Sequence, residues 1–160
     1  MVKMAKGPFM EYLRANAIQT TMNVYVETQI PTPTSKTENM AMLIHSIELH
    51  PSTPADAAPA NGDTVSLQLS KTSKSAIMTL AVADIIAKYK VQTVTNATYL
   101  QLYEIGQQKQ TFDPPILYPH ANLYFATNTV GFAAVTSAYI RIGYTLEKVS
   151  REDFISALVE

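Results

Sequence analysis

Few residues in this chain are equipped for chemistry. Its histidines are His45, His50 and His120, and it contains no cysteine. Two histidines on one strand reach a common metal ion only if they share a face. His45 and His50 have opposite parity on a predicted regular strand, so they point apart. His120 follows Pro119 in a predicted loop and could approach Asp113 from a neighbouring strand end. A surface hydrogen bond is the commoner outcome of such a meeting. Neither H-x-H nor H-E-x-x-H spacing occurs.

Carboxylate pairs for glycoside hydrolysis must stand about 5–10 Å apart in a cleft. Glu27, Glu48, Glu104 and Asp113 fall on predicted strands and could meet, but acids exposed on strands are usually solvated. The five glycines, at 7, 62, 106, 131 and 143, form no phosphate-cradling loop, and G-x-S-x-G is missing. These patterns predict no catalytic residue, no cofactor and no metal, and so no enzyme.

The remaining chemical candidate is Arg141, in the segment AYIRIGYTL. Ala138, Ile140, Ile142, Tyr144 and Leu146 share one face; Tyr139, Arg141, Gly143 and Thr145 share the other. With no phosphate loop or catalytic motif beside it, Arg141 reads as solvent-facing, or as paired with a neighbouring subunit's carboxylate next to Tyr139. Nine tyrosines and no tryptophan occur. Tyr99, Tyr103, Tyr118, Tyr124, Tyr139 and Tyr144 lie on predicted strands, where cross-strand packing is the simplest use, with a sugar platform or subunit contact as alternatives.

The elements that would position these residues follow a two-residue period. Met22, Val24, Val26 and Ile30 predict a strand ended by Pro31. MAMLIHSIELHP places Ala41, Leu43, His45, Ile47 and Leu49 on one face. Residues 51–63 are rich in proline and alanine and end in Asn61-Gly62, a projecting loop by length and turn chemistry. TVSLQLS alternates, with Val65, Leu67 and Leu69 inward, and SAIMTLAV suits its hairpin partner. In ADIIAKYK, Ile85, Ile86 and Tyr89 fit a helical turn or two. KVQTVT, ATYLQLYEI, NLYFATNT and FAAVTSAYIRIGYTL read as strands, while Pro114-Pro115 forbids a regular central ladder within TFDPPILYP. Ser150-x-x-Asp153 is a capping signal opening a short helix near 150–159. The result is all-β: one antiparallel β-sandwich or barrel domain over 20–160, about eight strands with a short C-terminal helix, preceded by an N-terminal arm, 1–19.

The chain is long enough at 160 residues to bury one core. Charged residues make up only 16%, a hint that surface is buried against other copies. The net charge of −1 argues against holding nucleic acid mainly by phosphate neutralisation, and no specific nucleic-acid site is expected. Glu11 and Arg14 interrupt any signal-peptide core, and no apolar run is long enough for a transmembrane segment, so synthesis in the cytoplasm is expected. Phe9, Met10, Tyr12 and Leu13 are too apolar for a free tail and should dock on this chain or the next.

The order of arm, strands from about 20 to 148, projecting loop at 51–63 and the closing run LYFATNTVGFAAVTSAYIRIGYTLEKVS before a capped helix resembles the single jelly-roll capsid proteins of icosahedral viruses. That resemblance implies a two-sheet jelly roll of eight antiparallel strands. It also implies a structural virion protein, made in the host cytoplasm, that self-assembles in many copies through arm, loop and sheet-edge contacts, with other virion proteins as further partners. Phe9, Met10, Tyr12, Leu13, Tyr139 and Arg141 are the expected inter-subunit contacts. A carbohydrate-binding or adhesive β-sandwich is the alternative, and a hydrolase on a similar scaffold a weaker one.

Overall fold

The computed structural model describes residues 9–51, 62–95 and 100–159. Among these described residues, nine strands and one helix follow in order: β1 Glu11–Ile18, β2 Val26–Pro31, β3 Met40–Pro51, β4 Thr64–Ser70, β5 Ile85–Thr95, β6 Leu100–Gly106, β7 Lys109–Tyr118, β8 Asn122–Val130, β9 Ser137–Lys148 and α1 Arg151–Val159. One sheet has the order β1-β9-β3-β7 and the other β2-β8-β4-β5-β6. All the strand pairs are antiparallel. Without β6, these are two four-stranded sheets between which the chain crosses repeatedly, the two Greek keys of a jelly roll. β6 extends the second sheet beyond the eight strands expected.

Alternation makes the sandwich. Ile140 and Ile142 of β9 and Ile47 and Leu49 of β3 share a core with Val65, Leu67 and Leu69 of β4 and Leu123 and Phe125 of β8. Burying each large apolar side chain contributes about 1.5–3 kcal/mol against chain entropy. Ser150 caps α1: its hydroxyl accepts from the Asp153 amide at 3.0 Å and donates to the Asp153 carboxylate.

Several expectations are corrected. Much of the arm is part of the sandwich, because Glu11–Ile18 pairs with β9 over its whole length. On β3 the expected face is half right. A register shift between Ile44 and Ser46 turns Met42 and Ile44 inward before it, and Ile47 and Leu49 inward after it. An extra residue in one strand reverses parity, which a strict two-residue count cannot detect. ADIIAKYK is strand rather than helix: Ile85, Ala87 and Tyr89 are buried on alternate positions of β5. SAIMTLAV is not a strand, and β4 pairs with β5 instead.

The connection 71–84 folds over the outer face of the second sheet. Gln68, expected outward, is fully buried there; it donates to Ala76 O and accepts from the Met78 amide at 2.8 Å. Met22 and Val24 precede β2, because Asn23 takes a positive φ of 56° and exchanges hydrogen bonds with the Phe132 backbone. The last strand begins at Ser137, not Phe132. Pro114-Pro115 sit on edge strand β7, where pairing with β3 lapses between Thr111 and Ile116. Residues 52–61 of the expected projecting loop, and Tyr99, lie outside the described residues.

Candidate functional site

The outward side chains of the first sheet form cross-strand rows. Antiparallel neighbours place Arg14 of β1 opposite Arg141 of β9, Arg141 opposite Glu48 of β3, and Glu48 opposite Lys109 of β7. A second row runs Asn16, Tyr139, His50; a third runs Tyr12, Gly143, Ser46, Thr111. Directly opposed residues share a face and lie close enough to interact. The β3 bulge puts Glu48 and His50 in these rows, and it also turns His45 outward toward Thr145, with Nε2 to Oγ1 at 2.9 Å. The regular-strand premise for separating His45 from His50 therefore fails. They still do not act together, since His50 faces Glu48 and Gln108.

Arg141 is paired within its own chain. Its Nε donates to Glu48 Oε2 at 3.1 Å and its Nη2 to Oε1 at 2.8 Å, a two-pronged geometry suited to guanidinium and carboxylate. Lys109 Nζ lies 3.5 Å from the same carboxylate and His50 Nε2 3.3 Å. The Arg141 hydrogen bonds, supported by those of His50 and Lys109 and opposed by burial, hold the Glu48 carboxyl down at about 2. Glu48 is thus a fixed anion and not a proton donor at neutral pH.

Gly143 lets the β1 end lie close over β9. A Cβ there would come within 2.5 Å of Ser46 Oγ, 3.3 Å of Tyr12 Cε1 and 3.4 Å of Met10 Sδ. The Arg141 guanidinium stands 5.2 Å from the Tyr12 ring centre, a cation–π contact. Beside this arrangement a depression of about 360 Å³ is lined by Arg14, Ala15, Glu48, His50, Tyr139, Ile140 and Arg141.

Of the residues expected at subunit contacts, Met10, Tyr12, Tyr139 and Arg141 gather on or beside this face, and Phe9 is exposed just ahead of β1. Leu13 instead faces inward and packs on the core. Sequence reasoning missed Arg14, Glu48, His50 and Lys109 as company for Arg141. Their strands pair only in the fold, and the bulge hid the parity of β3.

The other candidates stay apart. Glu27 binds Tyr25, Ser73 and the Lys74 amide outside the second sheet, whereas Glu48 lies outside the first. His120 does not meet Asp113. It sits against the Tyr118 ring, and burial together with Lys71 and Lys36 disfavours its charged form. The strand between Asp113 and Tyr118 keeps them separate. A depression of about 450 Å³ between β7 and α1 includes Lys71, His120 and Asp153. Among the described residues no group of three or more His, Asp or Glu could hold a metal ion, and no helix is long and apolar enough to cross a membrane.

No protein-family model matches the chain, and no curated protein sequence matches it. Solved structures similar to it include tomato aspermy virus, at 18% identity over 91% of this chain and 81% of that one, with a TM-score of 0.46. Another is VP1 of trichodysplasia spinulosa-associated polyomavirus, at 8% identity over 91% of this chain and 98% of that one, with a TM-score of 0.44. A third is the unassembled KI polyomavirus VP1 pentamer, at 10% identity over 89% and 95% of the two chains, with a TM-score of 0.43.

Proposed function

We propose that this chain is a structural shell subunit, a viral capsid protein that associates with further copies of itself. The observation that carries this reading is a collar of exposed apolar side chains at one end of the jelly roll. Ile18, Met22, Val24, Val130 and Val135 are each roughly half exposed there, at 46–56%. A polar network holds the collar rigid: Gln19 donates to Val24 O and accepts from the Thr136 amide and hydroxyl, and Asn23 is tied to Phe132. Scattered apolar residues are ordinary, but several grouped on well-anchored turns favour a protein contact. Phe9, Met10, Tyr12, Tyr139 and Arg141 offer a second contact along the β1 edge. Closed packing in an icosahedral shell and virion location belong to the same proposal. The sugar-platform alternative draws little support: of the strand tyrosines it relied on, Tyr118 and Tyr144 are buried, and among the described ones Tyr139 alone is exposed.

The test is particle size. Light scattering and electron microscopy of the purified chain should show large regular assemblies, reduced or abolished by Val130→Lys with Val135→Lys. A stable monomer of 17.6 kDa at high concentration overturns the reading.

A further inference from the structure

One cross-strand row of the first sheet carries a charge imbalance that the row itself does not resolve. Arg14 and Arg141 stand directly opposite each other, an arrangement that costs stability in a sheet unless something neutralises it. The single carboxylate of the row, Glu48, is already shared by Arg141, Lys109 and His50. Arg14 has no ion pair or hydrogen bond among the described residues. Counting Arg14, Arg141 and Lys109 against Glu48, with histidine neutral, the row stands at 3 − 1 = +2. The Arg141 hydrogen bonds to Glu48 use Nε and Nη2, which leaves Nη1 for another acceptor. Both arginines line the depression of about 360 Å³, with Tyr139 and His50 on its wall.

We propose that this depression binds a doubly charged phosphate group, clasped by the Arg14 guanidinium and Arg141 Nη1 with the Tyr139 hydroxyl as a further donor. Guanidinium presents paired N–H groups that match phosphate oxygens, and a dianion balances the row's excess of two. The group comes either as free inorganic phosphate or as a monoester whose organic part rests on Tyr139, which is 48% exposed. This site uses none of the collar residues that carry the shell reading, and it shares Tyr139 and Arg141 with the second contact face.

The test is NMR titration of the full chain at constant ionic strength, with sodium phosphate, a nucleoside 5′-monophosphate and sodium chloride in separate arms. Saturable shifts at Arg14, Tyr139 and Arg141 are expected with both phosphates and not with chloride. Arg14→Gln should weaken binding by about tenfold or more. Arg14→Glu, which provides the missing carboxylate opposite Arg141, should abolish it while the melting temperature holds or rises. Equal affinity for the two phosphates assigns the site to the free ion. Tighter binding of the ester, with the gain lost in Tyr139→Ala, assigns it to the ester. Absence of saturation up to about 50 mM phosphate, or unchanged affinity in both folded Arg14 variants, overturns the proposal.

Discussion

Arg141 and Glu48 form a two-pronged ion pair across β9 and β3, with Glu48 only 7% exposed beneath the guanidinium. Arg141 is a tie between strands of its own sheet before it is anything to a neighbour. Removing it unpairs a nearly buried carboxylate, so an assembly defect in Arg141→Ala has to be read beside its stability.

The pair sets a pH dependence. The Glu48 carboxyl is lowered from 4.5 to about 2. Because the folded value lies below the unfolded one, the stabilisation is complete above pH 4.5 and is lost as pH falls toward 2. Calorimetry should show Glu48→Gln to be less stable by about 1–2 kcal/mol at neutral pH, with a flatter melting curve across that acid window. An unchanged acid slope in the variant contradicts this assignment.

Gln68 anchors the 71–84 connection to the second sheet. Gln68→Leu leaves the Met78 amide and Ala76 carbonyl without their partner and should cost about 2 kcal/mol. Hydrogen exchange at Met78 should quicken more than at β8. Uniform change across the chain would show that the connection is not separately held.

Gly143 permits the close approach of β1. Gly143→Ala should destabilise by about 1–3 kcal/mol by driving a methyl group into Ser46 Oγ. Adding Ser46→Gly should recover much of the loss in a double-mutant cycle, and strict additivity of the two changes would refute the clash.

Thr127 is fully buried, and its hydroxyl finds no partner among the described residues. Thr127→Val keeps the shape and removes the unpaired group, so chemical denaturation should show a gain of about 1 kcal/mol. A loss of stability would reveal a hydrogen bond to the hydroxyl.

Strand character, the inward faces of β4 and β9, the capped helix and the broken ladder at Pro114-Pro115 were legible in the order of residues. Each depends on local alternation, a side-chain cap or a missing amide, which neighbouring residues decide among themselves. The faces of β3 and the nature of 71–90 were not legible. One extra residue inverts a strand's parity, and Ile85, Ile86 and Tyr89 suit a helical face as well as a strand until β4 provides a ladder.

The candidate site belongs almost wholly to the second kind. The sequence alone determined that Arg141 shares a face with Tyr139 and Gly143, since period two imposes it. Only the tertiary structure decided that Arg14 lies opposite, that Glu48 answers it, and that Gln68 points outward yet is buried. Those relations join residues far apart in the chain, and their register follows from how two sheets close on one core rather than from any local pattern.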